Sequence, residues 1–484
     1  MGEIESHKEN ANYVDYKDRH ISHWDKIAAE IVKWNRFNGY YHRRLKEIVQ
    51  FIIPPGQRVI EIGCGQGDLL ASLQPSCGVG VDFSEKMIQL AKIRHPNLHF
   101  IQTDAHELDL KDNFDFVILS DVVNELWDVQ SVLEKISAFI TPQSRIVINF
   151  YSRLWELPLE LIRKTGLAKP MLLQNWLTVD DMKGLLSLSN LETIKHWDEI
   201  IWPMRTPVID SLLNRFIVKI WPFQFFALTH FMVAKPSSAG STVRELPKVS
   251  VIVPARNEAG NIDRILKSVP AMGRETELIF VEGGSTDGTY SAVEKAIKDN
   301  PHRLIKLLRQ SGVGKGDAVR LGFQHAQGDI LMILDADLTV PPEDLPRFYN
   351  ALHKGRAEFV NGVRLVYPME KEAMRFLNLL GNKFFSLVFS WLLGQPVKDT
   401  LCGTKVLWKK DYERIAANRS YFGDFDPFGD FDLLFGAAKL NLKIIEIPVR
   451  YRERTYGTTN ISRWKHGWLL LRMVFFALRR IKFV

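Results

Sequence analysis

Short apolar runs, each closing on glycine or a polar residue, alternate with helical stretches along most of this 484-residue chain. The sharpest is ILMILDADLTV, where Ile330–Leu334 reads as a buried strand running straight into Asp335 and Asp337. Earlier, Val59–Ile62 leads into GCGQG, GVGVD ends at Asp82, HFIQTDA ends near Asp104, and FDFVILSDVVNEL ends a fourth strand at Ser120 and Asp121. Residues 236–247 break the rhythm with small residues and proline and read as a linker. Beyond it Val249–Val253 ends in Pro254, Ala255, Asn257 and Glu258, and TELIFVEGGSTDGT gives another strand with a polar turn. Strands alternating with helices predict an α/β fold of two doubly wound domains, with ligands at the carboxyl ends of the strands.

Three stretches depart from that rhythm. Residues 1–50 form a polar, helical lead-in whose Trp24, Trp34, Phe37, Tyr40 and Tyr41 are placed to cover a pocket, with no chemistry assigned to them. Between Arg375 and the KDTLCGT block, Asn378, Asn382, Ser386 and Ser390 recur every four residues among Phe, Leu, Val and Trp. That spacing predicts a helix with one narrow polar stripe, too interrupted to cross a bilayer and suited to lying in its interface. Residues 461–484 carry Arg463, Lys465, Arg472, Arg479, Arg480 and Lys482 but no acid, which predicts a basic amphipathic helix on an anionic membrane surface.

Composition narrows the class. Hydrophobic residues make up 46% and charged residues 25%, values of an ordinary globular protein that exclude disordered and collagen-like chains. A net charge of +7 is modest for this length. The basic, acid-free run among Trp, Leu and Phe in 461–484 points to an anionic membrane surface, with no nucleic-acid partner expected. Three cysteines, Cys64, Cys77 and Cys402, lack metal-ligand spacing and predict a reducing, cytoplasmic setting. The polar, acidic N-terminus predicts no export signal, and Gly2 lacks the Ser or Thr of a myristoylation site.

Two carboxylates at the end of a core strand suit a hard divalent cation, Mg²⁺ or Mn²⁺, which in turn holds phosphate oxygens; they also suit the start of a turn before Pro341 and Pro342. In the first half, Gly63, Gly65 and Gly67 give G-x-G-x-G after Glu61, one residue shorter than the dinucleotide pattern, and Asp82 stands where an acid takes ribose hydroxyls.

These motifs in this order resemble the class I S-adenosylmethionine-dependent methyltransferases with their Rossmann-like sheet, over about residues 40 to 235 of a domain spanning 1–235. The resemblance implies S-adenosyl-L-methionine as cofactor, with Glu61, Gly63, Gly65 and Gly67 near its methionine part, Asp82 on the ribose, Asp104 and Ala105 at the adenine, and Ser120 among the cofactor-binding residues. It also supplies SRIVINFYS, LETIKHWDEII and FFALTHFMVAK as the last three strands. Asn124, Glu125 and Trp127 stand where an acceptor pocket forms, and His106 is either a base or a structural residue.

PARNE, STDGT, GKGDAVRLGF, DADLT, NGVRL, KDTLCGTKV and IPVRYRERTYGTTN resemble family 2 glycosyltransferases of the GT-A fold, in particular the dolichyl-phosphate mannose synthase branch, over residues 248–460. The resemblance implies a nucleotide-sugar donor bound by Pro254, Ala255, Asn257, Glu258, Asp287, Lys315, Asp335 and Arg454, with a metal on Asp335 and Asp337. Arg364 and Arg375 match the positions that hold a lipid phosphate acceptor. Glu282 and Gly283 stand where relatives carry two aspartates, so the sugar and base of the donor stay open. A polyprenyl phosphate needs no strong base, because its oxygen is already anionic, and attack at the anomeric carbon inverts it. A lipid-linked glycan or polysaccharide hydroxyl needs one, and Asp432 or Asp430 is the candidate. The expectation is a bifunctional, membrane-peripheral enzyme of the cytoplasmic face, or one whose first domain methylates the glycan or only binds the cofactor.

Overall fold

The computed structural model describes residues 2–166, 169–237, 245–364, 366, 376–419, 431–452, 454, 456 and 463–483. Side chains are described from residue 12 onward, apart from 31–38, 376–380 and 463–467 within those ranges. The chain divides into two compact units that part near residue 240.

The first unit is a seven-stranded sheet of β1 (Arg58–Ile62), β2 (Cys77–Asp82), β3 (His99–Gln102), β4 (Phe114–Ser120), β5 (Ile140–Tyr151), β6 (Leu191–Glu199) and β7 (Thr229–Pro236), in the order β3-β2-β1-β4-β5-β7-β6. The first five pair in parallel, while β7 runs antiparallel to both β5 and β6. Alternation along each strand builds two cores. Ile60, Ile62, Val117, Leu119, Ile146 and Ile148 face one helical layer, while Val59, Phe116, Ile118 and Val147 pack with Tyr41, Leu45, Val49 and Ile52 on the other. Each such aliphatic burial contributes about 1.5–3 kcal/mol. Strand order reverses between β1 and β4, which opens a crevice at their carboxyl ends.

The second unit repeats the principle with β8 (Lys248–Ala255), β9 (Glu275–Glu282), β10 (Leu304–Arg309), β11 (Ile330–Ile333), β12 (Phe359–Val363), β13 (Lys405–Trp408) and β14 (Ile444–Pro448). Their order is β10-β9-β8-β11-β13-β12-β14, with β13 antiparallel to both neighbours. Val249, Val251, Val253, Ile330 and Met332 face one core; Ile252, Leu331 and Ile333 face the other, against Ala318, Val319 and Phe323 of the helix Lys315–His325. The reversal between β8 and β11 brings PARNE and DADLT side by side.

One helix differs from its sequence expectation. In Phe376–Leu393 the two serines of the polar stripe are spent inside the fold: the hydroxyls of Ser386 and Ser390 donate to the Val397 carbonyl at 2.9 and 3.0 Å, and Val397 N–H donates to Ser390 Oγ at 2.9 Å. Phe384 and Leu387 are exposed instead. Among the described side chains of the helix Arg463–Ala477, Leu470, Met473 and Ala477 are buried, while Trp468, Leu471, Arg472 and Phe475 are exposed. No helix among the described residues is long and apolar enough to cross a membrane.

Candidate functional site

In the first unit a cavity of about 540 Å³ opens at the carboxyl ends of β1, β2 and β4. Glu61, Gly63, Gly65, Asp82, Asp104, Ala105 and Ser120 all line it, as do His106 and Glu125. Glycine is required in the turn after β1. A Cβ on Gly63, at φ +74°, would stand 2.7 Å from Val122, and one on Gly67, also at +74°, 2.6 Å from Phe100. Asp82 fixes the turn by accepting from Gly65 N–H and Ser84 N–H, both at 2.9 Å. Glu61 accepts from Leu70 N–H at 3.0 Å and so holds the start of the next helix.

His106 is locked from both sides. Its Nδ1 lies 2.6 Å from Asp104 Oδ1, and its Nε2 accepts from Asp128 N–H at 3.1 Å, which places the ring proton on Nδ1. Asn124 is fully buried and pins backbone, donating to Asn175 O at 2.7 Å and accepting from Tyr151 N–H at 2.9 Å, whereas Trp127 is 43% exposed. The lead-in does cover the cavity. The helix Gly2–Ala29 contributes Tyr16, Lys17, His20 and Trp24, where residues 16, 20 and 24 share one stripe, and Tyr41 comes from Ile31–Ile52. Tyr40 instead reaches the Asp210 carbonyl, and the side chains of Trp34 and Phe37 lie outside the described residues. Sequence reasoning missed Tyr16, His20 and Lys169, all of them cavity residues outside any motif.

Four carboxyls of this cavity are raised by burial: Glu61 to about 8, Glu125 to about 7, and Asp82 and Asp121 each to about 6. Each folded value stands above that of an unfolded carboxyl, so their contribution to stability is whole below about pH 4 and is lost as pH rises through 6 to 8. Calorimetric melting of the unit without ligand is expected to fall by on the order of 5 °C from pH 5 to pH 8.5. Glu61→Gln should flatten the upper part of that fall; an unchanged slope would contradict the burial of Glu61. A cationic ligand suits such a cavity, because it meets the charges that burial penalises.

In the second unit Asp335 and Asp337 follow β11 directly. Lys315 Nζ lies 2.6 Å from Asp335 Oδ1, and the ammonium holds that carboxyl below its ordinary range against the opposing effect of burial. Asp337 Oδ1 accepts from Thr339 N–H at 3.1 Å and its hydroxyl at 2.8 Å. Arg454 bridges Asp337 Oδ2 and Glu258 Oε1, each at 3.0 Å. Asn257, left-handed at φ +56°, accepts from Thr286 N–H at 2.8 Å, and Asp287 accepts from Ala259 N–H and the Tyr456 hydroxyl at 3.1 and 3.0 Å. Pro254 and Ala255 close β8 beside them, and Glu282 accepts from Ser285 N–H. Gly403, within KDTLCGT, went unassigned in the sequence; a side chain there would collide with Asp335 and Lys315.

Arg364 forms a two-pronged bond with Asp399, Nε to Oδ2 at 2.7 Å and Nη2 to Oδ1 at 2.8 Å, leaving Nη1 outside the fork. Asp432 lies in the first turn of Phe431–Lys439, with Oδ2 at 3.7 Å from Arg320 and 3.6 Å from Arg419. Arg375, Asp430 and Thr458 lie outside the described residues. The three cysteines are free thiols.

Known proteins resemble both units. Residues 53–200 match a family model described as a methyltransferase domain, and residues 250–414 match glycosyl transferase family 2. The undecaprenyl-phosphate 4-deoxy-4-formamido-L-arabinose transferase of Proteus mirabilis is 34% identical over 228 residues, which cover 46% of this chain and 65% of that protein. Glycosyltransferase AglJ of Haloferax volcanii is 29% identical over 224 residues, 46% of this chain and 69% of that one. The chain thus spans about two thirds of the length of these curated relatives. A solved SAM-dependent methyltransferase of Thermotoga maritima, described as a possible histamine N-methyltransferase, is 17% identical, with 45% of this chain and 98% of that one covered and a TM-score of 0.36. Residues 53–200 belong to a methyltransferase family and residues 250–414 to glycosyl transferase family 2, so that one chain joins the two domains.

Proposed function

We propose that the chain is a bifunctional enzyme that transfers a sugar from a nucleotide-sugar donor to a polyprenyl phosphate and a methyl group from S-adenosylmethionine to an acceptor of the same glycan or lipid pathway. The observation that carries the first half is the paired placement of Glu258, Asp335 and Asp337 with Lys315 and Arg454 at the switch between β8 and β11. Relatives named as undecaprenyl-phosphate sugar transferases support it.

Among the described residues no three His, Cys, Asp or Glu form a metal cage. Two carboxylates fit a Mg²⁺ or Mn²⁺ ion whose remaining ligands are donor phosphates and water, and Asp335 and Asp337 would hold it. Such an ion, when bound, neutralises charge on the departing diphosphate. Lys315 adds a second positive charge there, Asn257, Glu258 and Asp287 shape the nucleoside pocket, and Arg454 closes it. Arg364, oriented by Asp399, keeps Nη1 for the acceptor phosphate, with Arg375 as its partner. The phosphate oxygen attacks the anomeric carbon from the face opposite the diphosphate, without a protein base.

A sugar hydroxyl as acceptor would make Asp432 the base, whose Oδ2 already lies near two guanidiniums. In the first unit the glycine turn and acid-lined cavity fit S-adenosylmethionine, which supplies an activated methyl on a cationic sulfur. Exposed Trp468 and Phe475 beside Arg472, Arg479 and Arg480 support peripheral binding at the cytoplasmic face of an anionic membrane.

The test is transfer from a panel of radiolabelled nucleotide sugars to undecaprenyl or dolichyl phosphate. Organic-extractable, metal-dependent product that falls at least about tenfold in Arg375→Ala is expected. Turnover only with glycan acceptors, indifferent to Arg375, would sink the lipid-phosphate reading.

A further inference from the structure

One carboxylate of the first cavity is built unlike the others. Asp121 follows β4 with φ +57°, a left-handed conformation that a non-glycine residue holds only when its surroundings enforce it. Here the enforcement is visible. Asp121 N–H bonds the Asn149 carbonyl at 3.3 Å, while Oδ1 accepts from the Tyr41 hydroxyl at 2.7 Å and from Asn149 Nδ2 at 2.6 Å. Tyr41 and Asn149 are themselves 5% and 2% exposed, so both donors are fixed by packing. None of the described residues donates to Oδ2, and Asp121 lines the cavity. One oxygen is therefore clamped and the other is left for a ligand.

Glu125 is held by one side-chain donor where Asp121 has two, its Oε2 accepting from Trp24 Nε1 at 2.7 Å, and both nitrogens of His106 are engaged. The groups that face Asp121 are Tyr41, Tyr151, Glu125 and Lys169. Burial keeps both tyrosines protonated, so they act as donors rather than as rival bases. Lys169 lies over the Trp24 ring at 4.0 Å and supplies the positive charge that steadies an ionised Asp121. Aromatic walls from Trp24, Tyr41 and Tyr151 fit the apolar face of a sugar ring.

We propose that Asp121 is the catalytic base of the methyltransferase domain, drawing the proton from a sugar hydroxyl through Oδ2 while Tyr41 and Asn149 position it through Oδ1. The inference deepens the methyl-transfer reading and rests on it. In the step, the hydroxyl oxygen forms the new O–CH₃ bond as the S–CH₃ bond breaks. The breaking pair stays on sulfur, giving a neutral thioether, and the hydroxyl proton ends on Asp121. Burial raises this carboxyl to about 6, which leaves it ionised at neutral pH and makes it a stronger base than an exposed aspartate.

A base in this place also meets a cation at the methyl position, which allows a test without the acceptor. Calorimetry on the full chain compares S-adenosylhomocysteine with the analogue that carries a protonated amine in place of the methylated sulfur. At pH 7.5 the amine is expected to bind at least about tenfold more tightly, with the preference fading below about pH 6. Asp121→Asn should erase the preference while holding S-adenosylhomocysteine affinity within about twofold, which shows the site intact. Tyr41→Phe should move the pH midpoint of the preference upward, because the carboxylate loses a donor that stabilises its charge. An equal preference in wild type and Asp121→Asn, or none in wild type, overturns the assignment. Preference lost in Glu125→Gln but kept in Asp121→Asn moves the base to Glu125 and overturns it as well. Binding of neither ligand removes the methyl-transfer reading itself, and the base with it.

Discussion

Asp337→Ala is expected to lower sugar transfer by about 10²–10³-fold while S-adenosylhomocysteine binding stays at the wild-type value. The carboxylate has two separable uses. Oδ1 shapes the turn through Thr339, and Oδ2 meets Arg454 at 3.0 Å. Removing it would take an oxygen from a metal held as proposed, and it leaves Arg454 to Glu258 alone. Asp337→Asn keeps the shape and the acceptor of the turn but lowers the negative charge, so it should fall nearly as far if metal binding dominates. Recovery of activity in Asp337→Asn to within about threefold of wild type would assign the residue to the turn and not to the ion. The assay is initial rate against metal concentration, since a weakened site also shifts the metal requirement.

Asp399→Ala should destabilise the second unit by about 3–5 kcal/mol, a large share of the roughly 5–15 kcal/mol that holds a domain together. Its side chain is wholly inaccessible and takes both prongs of Arg364, along with Arg364 N–H and Leu401 N–H at 3.1 Å each. Alanine strands a buried guanidinium. Exchange of both partners, Arg364→Met with Asp399→Leu, removes the charges together and should recover most of the loss in chemical denaturation. That pair separates support from chemistry. If Arg364 also holds the acceptor phosphate, the double variant folds and fails to transfer sugar; wild-type transfer would leave Arg364 a structural role only.

The strands and the polar residues at their ends could be read from the chain because both follow local rules. Period-two alternation fixed the two faces of β1, β4 and β8, and the turn after β1 needs glycine by backbone geometry alone. What escaped was set by partners distant in sequence. Nothing near Arg364 announces that Asp399, 35 residues on, will fork onto it. The serine stripe of Phe376–Leu393 has the spacing of a solvent-facing edge, yet Val397 returns to take it. Asp121 closes an ordinary-looking strand and acquires its character from Tyr41 and Asn149. Gly403 looked like one more flexible position until the Lys315–Asp335 pair was found against it.

The described part of the wall that Gly2–Ala29 gives the first cavity is held mostly by polar and aromatic contacts rather than by one of the large cores. Among the described side chains, Tyr16 bonds the Glu125 carbonyl, Lys17 pairs with Glu107, Trp24 with Glu125, and Asp25 with Ser84 and the Lys86 N–H. Tyr13 and Tyr16 pack on Trp127, and Ile27 and Ala28 cluster with Met87. The sheet opposite is sealed by two full cores. One side of the cavity can therefore come undone at a fraction of the free energy needed to unfold the other. For a cofactor bound as proposed, the spent form would then leave when that helix lets go, and the chemistry would be finished before the site is vacant again.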